Sequence, residues 1–270
     1  MPMWKVTTFD DLKRQIAEIR ALGLGLLTNF FPNPARHGLW IENGDCFTER
    51  VENSLFIVKK SPSFWNVFFC SANQGELGSD WKSFASRHPG VTMVSDIVGR
   101  EGQCGPLAGL LMAAGCRETA SLVRMTRMTE PMTFAPDASV RFATGRDLPR
   151  INGLLHQFFD ERTEQIPYDE ELAAFMAHHW ILVCEEDGNL AGFLIFELSS
   201  ATLYLRYWFT HPDFRGRKVG SRLMRRFFEE GKETRRQILW VMRTNGDAME
   251  KYRHYGFVEE DMFDHVMQFN

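Results

Sequence analysis

Thr210-His-Pro-Asp-Phe-Arg-Gly-Arg-Lys-Val-Gly-Ser-Arg-Leu-Met224 is the stretch that decides how the second half of this chain is read. An aromatic, β-rich run, Leu203–Thr210, leads into it, Pro212 stops the strand, and a basic amphipathic helix begins after Val219 and reaches about Glu230. Between strand and helix lies a glycine-bearing basic loop. Backbone N–H groups left free at a helix N-terminus form a concave anion site, which the helix dipole reinforces. Gly216 and Gly220 let the backbone from Gly216 through Val219 to Ser221 approach an anion with no Cβ in the way, and Arg215, Arg217 and Lys218 add positive charge. This pattern suits a pyrophosphate. The spacing Gly216-x-x-x-Gly220-Ser does not meet the phosphate-loop pattern G-x-x-x-x-G-K-[ST], and no G-x-G-x-x-G is present. Taken alone, the loop is either an anion site of another kind or a basic turn capping an ordinary helix.

Outward from the loop, the second half reads as β-α-α-β-β-β-α-β-α-β. A strand at Ser139–Thr144 precedes helices at Asp147–Glu161 and Asp169–His178, the first with apolar residues at Leu148, Ile151, Leu154, Leu155 and Phe158. Strands Trp180–Cys184 and Leu190–Leu198 are joined by Glu-Glu-Asp-Gly-Asn, a hairpin signal. After the basic helix come a strand at Gln237–Arg243, a helix at Asp247–Tyr255 stopped by Gly256, and a last strand at Phe257–Phe269. The run Arg222-Leu-Met-Arg-Arg reads as a solvated helix face. The first half gives a similar order with weaker signals: helix Phe9–Ala21, strands near Asp45–Arg50, Leu55–Lys59 and Trp65–Ser71, helix Trp81–Ser86, strand Val91–Val98, helix Gly105–Ala114 and strand Thr119–Met128. The proline-bearing stretch at 129–138 reads as a linker, dividing the chain into 1–128 and 139–270. An internal echo aligns Gly115 with Gly256 at an offset of 141 residues, each glycine following a helix and leading into a strand.

A chain of 270 residues with 44% hydrophobic and 24% charged content is an ordinary globular composition, and a net charge of −4 argues against wholesale nucleic-acid binding. Cys46, Cys70, Cys104, Cys116 and Cys184 are scattered with no C-x-x-C pair, so neither a zinc site nor a disulfide framework is expected. The N-terminus lacks an apolar signal core and no run of 18 apolar residues occurs, so the expectation is a cytoplasmic protein with no membrane partner. Nothing in the composition sets an oligomeric state.

The loop then becomes recognisable. It resembles the signature [RQ]-x-x-G-x-[GA] of the GNAT superfamily of N-acetyltransferases, with Arg215 at the first position and Gly220 at the last; Lys218 stands where the family carries its middle glycine. A second segment, Asn245-Gly-Asp-Ala-Met-Glu-Lys-Tyr252-Arg-His-Tyr-Gly256-Phe257, resembles the family's N-x-x-A-x-x-x-Y-x-x-x-G-F. The resemblance covers about 139–270 and implies an α/β (α+β) fold: a mixed, mostly antiparallel sheet flanked by helices and splayed at the cofactor site, with two such lobes in tandem if the echo is a duplication. The resemblance also implies that the backbone of Trp208, Phe209 and Thr210 pairs with the pantetheine of acetyl-CoA, that the amides of Gly216 to Ser221 hold the pyrophosphate, that Asn245 contacts the cofactor, and that Tyr252 stands near the thioester sulfur as proton donor.

The base that would deprotonate an ammonium acceptor has no clear residue. The strand before the loop carries no glutamate, and the position five before Asn245 is Trp240; Glu197, Tyr204, His211 and a water chain stay open. Tyr204, Tyr207, Trp208 and Phe209 either line an acceptor pocket or belong to the core. In the first half the aligned positions hold Cys104 and Leu111, and no basic glycine loop follows Trp65–Ser71. That half is either a lobe that has lost cofactor binding or an unrelated α/β domain. The implied activity is transfer of an acetyl group from acetyl-CoA to a primary amine of a small molecule or peptide in a ternary complex, with no metal. The rival is a non-catalytic acyl-CoA-binding or scaffolding module.

Overall fold

The computed structural model describes residues 3–23, 25–131 and 137–270, so positions 132–136 of the stretch read as a linker lie outside it. Compact packing shares the chain out as Met1–Leu122 with Asp261–Asn270, and Val123–Glu260. This differs from a cut at 129–138 because two strands end in the unit opposite to the one in which they begin.

The first unit runs β1 (Trp4–Lys5), α1 (Phe9–Arg20), β2 (Leu27–Thr28), α2 (Pro34–Glu42), β3 (Cys46–Val51), β4 (Ser54–Lys60), β5 (Trp65–Ser71), α3 (Leu77–Ser86), β6 (Met93–Gly99), α4 (Glu101–Ala113) and the start of β7 (Arg117–Met128). Thr8 caps α1 by accepting the Asp11 amide at 3.1 Å, and Leu12, Ile16 and Ile19 form its buried face. Helix α2 has no counterpart in the sequence reading. Asn33 caps it and Pro34 opens it, but only His37 and Trp40 are buried, too few to show a period. Strands β3, β4 and β5 pair antiparallel and β6 joins β5 in parallel. Val58, Phe56 and Phe69 of this sheet pack against Trp81 and Phe84 of α3 and Leu111 of α4.

The second unit takes the end of β7 and adds β8 (Val140–Phe142), α5 (Leu148–Phe158), α6 (Glu161–Glu164), α7 (Asp169–Ala177), β9 (Ile181–Glu186), β10 (Asn189–Ser199), β11 (Thr202–Thr210), a 3-10 turn at Pro212–Phe214, α8 (Val219–Glu230), β12 (Arg236–Met242), α9 (Gly246–His254) and the start of β13 (Val258–Phe269). Its strands are ordered β7-β12-β11-β10-β9-β8, antiparallel from β8 to β11 and parallel between β11 and β12. One face packs Ile195, Tyr207 and Phe209 against Ile151, Leu155 and Leu172 of α5 and α7. The other carries α8, whose Val219, Leu223, Met224, Phe227 and Phe228 are all buried.

Gly115 and Gly256, the glycines of the internal echo, both end a helix in the left-handed region, at φ 103° and 85°. A Cβ on Gly115 would lie 3.1 Å from the Phe269 ring, and one on Gly256 would lie 3.3 Å from Arg127 Nε. The first unit is thus completed by the end of β13, where Phe263–Phe269 pairs with β6, and the second by the end of β7, where Arg127 donates to Gln237 Oε1 of β12 at 2.9 Å.

Candidate cofactor and acyl-transfer site

The site in the second unit begins with one extra residue. β10 and β11 pair from Ser199↔Thr202 to Phe196↔Leu205 and resume at Ile195↔Tyr207, leaving Arg206 as a bulge. A bulge reverses which face each later side chain takes. Leu203, before it, lies against Gly231 at the end of α8, whereas Tyr207 and Phe209, after it, enter the core under α5 and α7. Trp208 and Thr210 are thereby turned to the α8 face. β11 and β12 pair from Thr202↔Arg236 to Leu205↔Leu239, and beyond the bulge β11 has no partner on that side among the described residues. This is the splay that the resemblance implies.

Helix α8 sits low on the sheet because Gly192 of β10 allows it. A Cβ there would come within 2.6 Å of the Phe209 carbonyl and 2.8 Å of Val219 Cγ1. The N-terminus of α8 is therefore pressed against the splay. Gly220 in its first turn would, with a Cβ, meet Trp208 Cζ2 at 3.0 Å and Thr210 Oγ1 at 3.2 Å. The first amide with a helical acceptor is that of Arg222, which donates to Lys218 O at 3.0 Å. The amides of Val219, Gly220 and Ser221 have no protein acceptor among the described residues, and no side chain caps the helix. Gly216 and Lys218 take left-handed φ values of 80° and 60°. Lys218 thus holds the conformation a glycine reaches more easily, so the loop keeps its turn despite the substitution.

The charged groups of the loop have separate fates. Arg215, Gly216, Arg217 and Lys218 are exposed, and Arg217 pairs with Asp187 at 3.0 Å. Arg222 is not on a solvated face as its sequence context suggests. Its guanidinium donates to Ser139 Oγ at 2.7 Å and to Glu186, and only 16% of the side chain is exposed, because α8 lies flat over β9. His211 serves its own turn, since its Nδ1 accepts the Asp213 amide at 3.3 Å and caps the 3-10 segment.

Asn245 caps α9, its Oδ1 accepting the Ala248 amide at 3.1 Å. Two turns later Tyr252 faces Trp208, ring centroids 5.6 Å apart, with Tyr255 on the same indole at 5.9 Å. Trp208 Nε1 is buried without a hydrogen-bond partner among the described residues, next to the ring atoms that abut Gly220. The structure therefore brings Trp208, Thr210, Val219, Gly220, Ser221 and Tyr252 together. Phe209 points its side chain to the opposite face and leaves only its backbone here. Burial, and then the charge of Glu164, push the Tyr252 phenol well above its usual range, so it is protonated throughout the neutral region.

Glu164 escaped the sequence reading because it ends a helix of four residues. Tyr207, the first residue after the bulge, donates through its hydroxyl to Glu164 O at 2.6 Å and Gln165 O at 3.1 Å, which ties this turn to β11. Burial pushes the Glu164 carboxyl up; the Asp160 carboxylate adds to this and a hydrogen bond from the Asp160 amide opposes it. The candidate bases on the sheet are more committed. Glu197 accepts from the bulge residue Arg206 at 2.6 Å, and Tyr204 lies under that guanidinium at 5.3 Å.

Residues 148–257 match the family described as Acetyltransferase (GNAT) family. The C-terminal half carries a GNAT domain. Over 89 residues the chain is 33% identical to an uncharacterised N-acetyltransferase of Methanocaldococcus jannaschii, a match covering 30% of this chain and 39% of that protein, so the chain spans well under half of this relative. The whole fold resembles a tandem GNAT protein from the clavulanic acid biosynthesis pathway, solved without AcCoA, with a TM-score of 0.60 and 12% identity over 99% of this chain and 97% of that one. A GNAT protein of Sphaerobacter thermophilus matches with a TM-score of 0.58 and 16% identity over 80% of this chain and 76% of its own. At such identities the likeness is one of fold. It covers both halves of the chain, so the GNAT fold occurs here in a tandem arrangement. Among the described residues no helix is long and apolar enough to cross a membrane.

Proposed function

We propose that the GNAT domain moves an acetyl group from acetyl-CoA to a primary amine of a small molecule or peptide, the amine attacking directly in a ternary complex. The observation that carries this reading is the convergence of three free amides at the N-terminus of α8 on the place where β11 leaves β12. The residues present fit a pyrophosphate: amides of Val219, Gly220 and Ser221 to donate, a bare Gly220 where a Cβ would block approach, and the unpartnered indole N–H of Trp208 beside it. Acetyl-CoA supplies an acyl group already activated as a thioester. Backbone N–H groups of β11 beyond the bulge, free of β12, polarise the acyl carbonyl. Tyr252, held in its protonated form, donates a hydrogen bond to the departing sulfur. On the acceptor side Glu164 is the carboxylate whose charge reaches Tyr252, and with its raised pKa it takes the ammonium proton more readily than an ordinary glutamate would.

Thiol release from acetyl-CoA, followed over a panel of amines, tests the reading. Turnover on at least one amine, with kcat lowered in Tyr252→Phe while acetyl-CoA affinity holds, is the expected result. Acetyl-CoA binding with no turnover on any acceptor would make the domain a binding module instead.

A further inference from the structure

The first unit carries a cluster that the acyl-transfer site does not use. Helix α4 begins at Glu101, and its first turn brings Glu101 and Cys104 beside His265 of β13; one ligand atom of each lies within 4.8 Å of the other two. His265 is held between two carboxylates. Its Nδ1 meets Glu118 Oε1 at 3.1 Å, and its Nε2 lies 3.6 Å from Glu101 Oε2. The imidazole side chain is only 8% exposed, and Nε2 is buried with no hydrogen-bond partner among the described residues. Leaving a buried polar atom unpaired is costly, so this nitrogen calls for an occupant.

We propose that Cys104, His265 and Glu101 bind a divalent cation of the zinc class, with Glu118 as the outer partner of His265. The donor set is one thiolate sulfur, one imidazole nitrogen and one carboxylate oxygen, all of which zinc accepts. The Glu118–His265 contact is the arrangement a metal-bound imidazole needs: the proton is fixed on Nδ1, which frees Nε2 to ligate. Charge points the same way. Asp261, which accepts the Glu101 amide at 3.3 Å, adds a third carboxylate to Glu101 and Glu118, and no Lys or Arg forms an ion pair with any of the three among the described residues. The Cys104 thiol, now donating to Gly99 O at 3.4 Å, gives up its proton as the metal–sulfur bond forms, and that proton leaves to solvent. Glu101 is 58% exposed at its side chain and free to close the remaining distance. Three protein ligands leave the fourth tetrahedral position to water or an incoming group.

The placement is specific to this lobe. Shifted by the 141-residue offset of the internal echo, α9 falls on 105–113, so α4 is longer by the single turn Glu101–Cys104 that supplies two of the ligands. The expectation of no zinc site rested on sequence-adjacent cysteine pairs, whereas these ligands are joined by strand order: β13 carries His265 back to β6, opposite Ile97.

Cobalt(II) titration of the full chain, stripped with chelator, tests this directly. One equivalent of cobalt should give visible absorption of tetrahedral intensity and a thiolate-to-metal charge-transfer band, and zinc should bleach both. Cys104→Ser should abolish the charge-transfer band, whereas Cys184→Ser should leave it intact. Glu101→Gln and Glu118→Gln, at positions that are not buried, should each weaken zinc by about ten-fold or more. Absence of a charge-transfer band in the unaltered chain, its survival in Cys104→Ser, or unchanged zinc affinity in both glutamine variants would overturn the assignment.

Discussion

Gly220→Ala is the substitution that most directly probes the cofactor loop. An alanine Cβ would sit 3.0 Å from Trp208 Cζ2 and 3.2 Å from Thr210 Oγ1. The indole cannot swing aside, because Tyr252 and Tyr255 flank it at 5.6 and 5.9 Å. Overpacking of this kind costs about 1–3 kcal/mol, and the better helix propensity of alanine returns about 1 kcal/mol, so the expected loss of stability is small, about 0–2 kcal/mol. The larger effect falls on the ligand. The clash is relieved by lifting the first turn of α8 by a few tenths of an ångström, away from β11 and from the bound anion. A hydrogen bond to a charged group contributes about 1.5–3 kcal/mol, so weakening two of the three free amides by a third removes about 1–2 kcal/mol, or about ten-fold in Kd. Isothermal titration with acetyl-CoA reads the affinity and a thermal melt reads the fold. Gly220→Glu, which adds a carboxylate at the same spot, should abolish binding. An alanine variant that binds within about two-fold of the parent, with an unchanged melt, would refute both the contact and the pyrophosphate assignment.

Lys218→Gly should relieve the left-handed backbone, a strain of about 1 kcal/mol, raising Tm by about 2 °C while the lost charge makes acetyl-CoA binding weaker and less salt-sensitive; an unchanged or lower Tm in calorimetry would count against strain at φ 60°. Glu164→Gln tests the raised carboxyl. A group whose folded pKa is raised contributes stability that is full below its unfolded pKa and lost as pH rises through the folded one, so the glutamine variant should gain on the parent as pH rises above the ordinary glutamate range in denaturant titrations, and the acidic limb of the activity profile should vanish. Asp147→Asn has the opposite sign. Hydrogen bonds from Arg141 lower the Asp147 carboxyl from 3.8 to about 2. That stabilisation is present above the unfolded value and lost as pH falls toward 2, so the variant should lose about 2 kcal/mol at pH 7 and little at pH 2. A deficit independent of pH would refute the ion-pair account.

The loop and its helix were legible because their signals are local. Free amides at a helix start, a glycine at 220 and a tyrosine seven residues past an asparagine cap all follow from residues near one another in the chain. Asn245 shows how much such a motif compresses: its visible work is to cap α9, and the cap is what aims Tyr252 two turns later at Trp208. Gly192 carries no such signal, since nothing in Leu-Ala-Gly-Phe reveals that a helix 27 residues later will lie against it, and Arg222 looks solvated in sequence because its partners Ser139 and Glu186 lie far back in the chain.

The bulge at Arg206 was illegible for a deeper reason. Leu203, Leu205, Tyr207 and Phe209 alternate regularly with less buried residues, which is the pattern of one straight strand with a single apolar face. Yet the two pairs lie on opposite faces, because both faces of β11 are covered, one by α8 and the other by α5 and α7. A strand buried on both sides imposes no polarity on its alternation, so an inserted residue leaves no trace in the hydrophobic pattern. Its trace is in the pairing register, which depends on β10. The same inserted residue turns Trp208 toward the loop, turns Tyr207 toward the carbonyls of Glu164 and Gln165, and ends the pairing with β12. The proposed function hangs on this register shift: the residues proposed to hold the cofactor lie near one another in the chain and carry a local sequence signal, whereas the proposed acceptor side, set by what Tyr207 ties down, carries none.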